Sequence, residues 1–234
     1  MSLPQFNIIS DFDAIKYVFF IIISGGTMNE KIINLLKSYQ PNISGVKRKS
    51  SILIPLIMKD GAWHLMYEVR SFDLTSQPGE ICFPGGKMES GENPSQTAVR
   101  ETCEELNLTP EDIEVISQID SILTSFNMII HCHVGIINKP FEEIKYASDE
   151  VDHLFLVPVS YLCHHKPEEY VINTTFDLPE SFPFESIPNG KDYNFKNSSY
   201  PVIFYHYNDK TIWGLTARMT KSFIELVNSA CQHF

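Results

Sequence analysis

Residues 86–108 read GKMESGENPSQTAVRETCEELNL and hold the densest chemistry in the chain. At 100° per residue, Glu101, Glu104 and Glu105 share one arc of a helix, while Ala98, Val99, Thr102, Cys103 and Leu106 share another. Like charges three and four residues apart destabilise an isolated helix by roughly 0.2–0.5 kcal/mol per pair, so a face carrying three carboxylates calls for positive charge. The hard cations Mg2+ and Mn2+ take carboxylate oxygens and keep positions for water and phosphate. A dication there would neutralise phosphate charge and make a coordinated water a better nucleophile. An acidic helix face is more often simply solvated. The run Phe83-Pro84-Gly85-Gly86 favours the cation, because its glycines let backbone approach a ligand immediately before the acidic helix. Arg100 is spaced to hold Glu92 or to orient a neighbouring carboxylate.

The elements that position these groups are written around them. Asn93 can cap a helix, Pro94 suits its first turn, and Asn107 tolerates the left-handed conformation that ends helices, so a helix is predicted over 94–106. Upstream, 51–58 reads as a buried strand, Asp60-Gly61 as a turn and 63–69 as its hairpin partner. Further strands are predicted over 113–119 and 128–137, with a short apolar segment at 154–159. Residues 202–207 and 211–213 form a hairpin around Asn208-Asp209-Lys210. A helix spans 30–39, and a last one starts near Thr216 as N-cap, with Met219, Phe223, Leu226, Val227 and Ala230 on one face. Residues 164–200 are rich in Pro, Asn, Ser and Phe without sustained periodicity, and are expected to be a substrate-side elaboration. Strands interleaved with helices indicate a mixed α/β layered domain.

The segment resembles the Nudix box, G-x5-E-x7-R-E-U-x-E-E-x-G-U with U apolar. Gly86, Glu92, Arg100, Glu101, Glu104, Glu105 and Leu108 fall in register, while Thr102 stands for an apolar residue and Asn107 for Gly. The resemblance implies an α/β/α sandwich with a mixed sheet and hydrolysis of a pyrophosphate linkage with Mg2+ or Mn2+. It implies Glu101 and Glu105 as principal metal ligands, Glu104 joining when more than one ion binds, and a backbone carbonyl from Gly86. Arg100 with Glu92 would be the supporting ion pair. The general base would be a box glutamate or a downstream acid, for which Asp149 and Glu150 are the candidates.

A second likeness narrows the substrate. Arg70-Ser71, Gly79 and Phe83-Pro84-Gly85-Gly86 are similar to the signature of the coenzyme A diphosphatase branch, L-L-T-x-R-[SA]-x3-R-x3-G-x3-F-P-G-G. It implies that Arg70, Ser71, Gly79 and Gly85 line the substrate. Ile212 to Arg218, and Glu150 to Leu162 with its Val157-Pro158, also resemble that branch. Thr75 replaces the second Arg of the signature, which forfeits a charge-assisted bond of roughly 1.5–3 kcal/mol if that Arg meets a phosphate. Arg70 and Lys47-Arg48-Lys49 are the cations left to compensate. The implied reaction releases 3′,5′-ADP and 4′-phosphopantetheine from coenzyme A or an acyl derivative. ADP-ribose or another nucleoside-diphosphate derivative is the alternative substrate, and a nonenzymatic nucleotide sensor the alternative class.

Composition sets the remaining bounds. The chain has 234 residues and a formal charge of −11, which disfavours a nucleic-acid partner because such binding needs clustered cations. Five scattered cysteines without a C-x-x-C pair suit a reducing cytoplasm. The apolar run 17–23 is far shorter than the ~20 residues a membrane span needs. Residues 1–27 are expected to be an extension upstream of a natural start at Met28, with 28–234 forming a single domain. The partner is a small nucleotide, with a homodimer the assembly left open. His131 and His133 alternate along a predicted strand and are expected to be ordinary sheet histidines.

Overall fold

The computed structural model describes residues 30–231, so the expectation about residues 1–27 and Met28 falls outside it. The chain divides after Ser44 into two units. The described element of the first is helix α1 (Glu30–Ser38), as its apolar spacing predicts. Everything below concerns the second unit, from Gly45 onward.

Strands β1 (Arg48–Lys59) and β2 (Ala62–Arg70) form the predicted hairpin, paired from Leu56↔Leu65 to Lys59↔Ala62. Asp60 and Gly61 both take positive φ, 50° and 75°, as a two-residue turn matched to strand twist requires. Toward its other end β1 parts from β2 and pairs instead with β4 (Gly85–Lys87), at Ile52↔Gly85 and Ser51↔Gly86. Pro55 sits where this edge changes partner, which lets a central strand carry a residue without an N–H. Strand β3 (Ile81–Cys82) pairs with β2, and the Leu53 N–H donates to the Pro84 carbonyl at 2.9 Å. The Cys82 to Gly86 run is thereby sewn between two splayed strands.

On the far edge, β7 (Met128–Ile137) runs parallel to β1, and β5 (Ile113–Gln118) and β6 (Ile122–Leu123) pair antiparallel with β7. Strand β8 (Val151–Pro158) closes the sheet against β2. The result is a mixed sheet of eight strands.

Helix α2 (Pro94–Leu106) covers one face, where Leu53, Ile57, Met66, Ala98 and Leu106 form a buried cluster. The other face carries α3 (Val159–His164), α4 (Gly214–Cys231) and a small antiparallel sheet of β9 (Glu168–Thr174), β10 (Ser198–Tyr207) and β11 (Lys210–Trp213). The buried Tyr67 hydroxyl meets Thr220 Oγ1 at 2.9 Å and ties sheet to helix. The expected helix, sheet and helix layers are present, with the second sheet added to one of them.

Three expectations need correction. Helix α4 begins at Gly214, so Thr216 is not its N-cap; its hydroxyl lies inside the first turn and donates to the Ile81 carbonyl at 3.0 Å. Leu226 and Ala230 do not join the buried stripe; both are exposed, Leu226 by 48%. The 164–200 segment contains a strand, β9, and an aromatic cluster of Phe176, Phe182, Phe184, Tyr193 and Phe195.

Candidate active site

Helix α2 begins and ends where its sequence says it should. The Asn93 side chain accepts from the Gln96 N–H while the Gln96 side chain accepts from the Asn93 N–H, a reciprocal cap that fixes the first turn. Asn107 ends the helix in the left-handed region at φ 48°. Thr102, the polar residue at an apolar position, is fully buried, and its hydroxyl donates to the Ala98 carbonyl at 2.7 Å. That bond satisfies the oxygen and leaves the methyl group for the core.

Arg100 organises the acidic side of the helix. Its Nε and Nη2 donate to the two oxygens of Glu92 at 2.7 and 3.2 Å. Nη2 also reaches Glu101 Oε1 at 3.0 Å and the Lys87 carbonyl at 3.2 Å, and Nη1 reaches Glu104 Oε2 at 3.0 Å. Glu92 additionally accepts from the Glu89 N–H and the Thr97 hydroxyl, and the Arg100 bonds, with those two, pull its carboxyl down to about 2. One guanidinium thus pins the loop before the helix and orients two of the three box carboxylates.

Those carboxylates have different surroundings. Glu105 is 5% exposed, and its Oε2 accepts from the Gly85 N–H at 2.9 Å. Burial pushes its carboxyl well above the ordinary range, and the charge of Glu68 adds to the push. Glu101 is half-buried and raised too, chiefly by burial, against the opposing pull of Arg100. Glu104 points to solvent with a side chain 59% exposed, turned toward Arg100. Gly86 needs to lack a side chain, because a Cβ there would overlap the Glu101 carboxyl group. Among the described residues, no group of three Asp, Glu, His or Cys side chains is placed, as it stands, to hold a metal ion.

The downstream acid is anchored to this helix. The Ala147 N–H donates to the Glu105 carbonyl at 2.8 Å, and the turn that follows brings Glu150 round so that its carbonyl accepts from the Ser71 N–H. Glu150 is exposed, and its charge raises Glu68, Glu101 and Glu105 alike.

A groove of about 450 Å³ is lined by Gly85, Gly86 and Arg70 and, from the second sheet, by Ile172, Val202 and Trp213. Of the residues expected around the substrate, Arg70 and Gly85 line it. Ser71 is buried, and its hydroxyl accepts from the Asp73 N–H at 3.4 Å. Gly79 takes φ 71° against the Phe72 ring, so its place is in the turn that shapes the loop. His133 is a satisfied sheet histidine, 3.1 Å from Ser51 Oγ, and His131 meets Ser121 Oγ at 3.0 Å. Glu68, which lies on β2 and drew no attention in the sequence, proves to be buried beside this site.

The buried acids make cation binding and pH interdependent. A carboxyl whose folded pKa lies above its unfolded value, about 4.3 for Glu, contributes stability that is present below that value and lost as pH rises through the folded one. Without a cation, the melting temperature should therefore fall across that window as Glu105 ionises. Added Mn2+ favours the ionised form, so its stabilising shift should grow with pH. A Mn2+ shift in scanning fluorimetry that is flat across the window would contradict this.

A model of the NUDIX domain matches residues 47–187, and the chain belongs to that family. It is 37% identical over 123 residues to the peroxisomal coenzyme A diphosphatase NUDT7 of Mus musculus, covering 52% of this chain and 51% of that one. The chain thus spans about half the length of that relative. Nudix hydrolase 3 of Caenorhabditis elegans is 30% identical over 191 residues, covering 76% of this chain and 72% of that one. The mitochondrial coenzyme A diphosphatase NUDT8 of Homo sapiens is 26% identical over 181 residues, covering 76% and 69%. No described helix is long and apolar enough to cross a membrane.

Proposed function

We propose that this protein is a metal-dependent hydrolase of pyrophosphate linkages whose substrate is coenzyme A or an acyl derivative. The observation that carries the reading is the placing of Glu105 and Glu101: buried or half-buried, alike in charge, and set beside a glycine pair that opens into a ligand-sized groove. Oxygen donors crowded at low exposure fit a hard dication, and the missing Cβ of Gly86 lets the Glu101 carboxyl group lie against the glycine pair. When bound, Mg2+ or Mn2+ supplies charge neutralisation at the phosphates and lowers the pKa of water.

The residues divide the remaining work. Glu101, Glu105 and the Gly86 carbonyl would hold the ion, and the Arg100 contact keeps Glu101 in place. Glu104 is turned toward Arg100 and enters only with a further ion. Glu150 accepts the proton of the attacking water from a turn fixed to the end of α2. Arg70 meets a phosphate of the nucleotide half, and the apolar wall of Ile172, Val202 and Trp213 receives the pantetheine arm. Ile172 belongs to the 164–200 elaboration, which is how that segment reaches the substrate. Three relatives, NUDT7, NUDT8 and ndx-8 of Caenorhabditis elegans, are named as coenzyme A diphosphatases, which supports this choice over ADP-ribose.

A substrate panel with Mg2+ and Mn2+, read by product mass, tests the reading. Release of 3′,5′-ADP from coenzyme A is expected to outpace hydrolysis of ADP-ribose and of nucleoside triphosphates. Faster turnover of ADP-ribose would overturn the substrate, and tight nucleotide binding without turnover would favour a sensor. We place the protein in a reducing cytoplasm on its scattered thiols, although diphosphatase relatives are named as peroxisomal and mitochondrial; cell fractionation decides. Light scattering would show whether it is a homodimer.

A further inference from the structure

Strand β2 carries a buried carboxylate outside the acidic helix, Glu68. Its alternation sends Leu65 and Tyr67 to the face under α4 and Met66 to the face under α2. Glu68 follows Met66, and its cross-strand neighbour Leu154 packs against the α2 cluster, so Glu68 points to the α2 side as well. There it is 2% exposed. Its Oε1 accepts from the Cys82 thiol at 3.1 Å, and its Oε2 is fully buried with no hydrogen-bond partner among the described residues.

A buried carboxylate oxygen without a partner is costly, and structures keep one only when something else satisfies it. The charges around Glu68 do not. Arg70 is the one cation that eases it, while Glu150 and the neighbouring Glu105 are of like sign. The position carries Thr in the coenzyme A signature, so the acid is a feature of this chain rather than of the pattern. Arg70 Nε is likewise buried without a hydrogen-bond partner among the described residues, so the two groups are not bonded to each other and Glu68 Oε2 is left open.

We propose that Glu68 is an additional carboxylate of the dication site, its unpartnered Oε2 facing the ion held by Glu105 and Glu101. This rests on the hydrolase reading above and adds a ligand from outside the acidic helix. Glu105, bonded to Gly85, and Glu68, bonded to Cys82, then grip the cation from two elements that the Cys82 to Gly86 run sews together. The cation would fix the spacing of β2 and α2 beside the groove.

The test is a Mn2+ titration of wild-type, Glu68→Gln and Glu68→Thr proteins, with binding read by the loss of free Mn2+ electron paramagnetic resonance and melting followed with and without the ion. Removing a ligand is expected to weaken Mn2+ affinity at least ~10-fold. The same change removes uncompensated buried charge, so the cation-free melting temperature should rise while the Mn2+ shift shrinks. A merely structural Glu68 predicts the reverse, a lower cation-free melting temperature with unchanged Mn2+ affinity, and that result overturns the proposal. Either substitution suffices, so misfolding of one leaves the other to decide. Wild-type protein that binds no Mn2+ would remove the hydrolase reading itself, whereas equal binding by wild type and folded variants removes only the role of Glu68.

Discussion

Glu105→Gln is expected to lower turnover of coenzyme A at least ~100-fold without unfolding the protein, because it weakens metal-assisted activation at a buried ligand. The amide has the size of the carboxyl group and keeps an oxygen to accept from the Gly85 N–H, so the turn between β3 and β4 has no reason to move. It removes a charge that burial and Glu68 already oppose, so stability without a cation should hold or improve. Steady-state turnover measured beside melting temperature separates the two effects. Near-normal turnover would take Glu105 out of the metal shell.

Gly86→Ala should inactivate the protein almost as fully by a different route. The new methyl group would occupy the space of the Glu101 carboxyl group, which is the free end of a flexible side chain and can swing away. The fold survives, but Glu101 leaves the position that Arg100 holds for it, and a misplacement of about 1 Å at a reacting centre can cost on the order of 100-fold. Gly85→Ala makes the contrast. There the methyl group would strike the main chain of β1 at Ser51 and Ile52, which cannot swing aside, and overpacking of that kind costs roughly 1–3 kcal/mol of stability. A folded Gly86→Ala protein with full activity would refute the close approach of the turn to Glu101.

How much of this could be read from the sequence depended on whether each residue's purpose is local. Helix α2 was legible to its ends because Asn93, Pro94 and Asn107 act within a turn of where they stand. The β1–β2 hairpin was legible because Asp60-Gly61 specifies its turn. Strand β9 was not, since alternation reveals a strand only when one face is buried and every residue of β9 is exposed. The start of α4 was misplaced because Thr216 looks like a cap, and its true partner, the Ile81 carbonyl, is far away in sequence.

The candidate site divides the same way. The spacing of Glu101, Glu104 and Glu105 shows that they share a side of the helix, but not that Glu105 is buried while Glu104 faces solvent. That difference arises from the turn at Gly85, which packs over one carboxylate and not the other. Ser71 and Gly79 match a signature, yet their visible tasks are backbone ones in shaping the loop. Glu68 was invisible because a single acid in a strand carries no periodicity, and only the pairing of β2 with β3 and β8 shows which way it points.

Anomalous diffraction from crystals soaked in Mn2+ together with coenzyme A tests the central claim most directly, since Mn2+ is located by its own scattering. The account predicts a peak within coordination distance of the Glu101 and Glu105 carboxylates and the Gly86 carbonyl, beside the groove. Clear density for the nucleotide with no Mn2+ peak beside those two glutamates would contradict it.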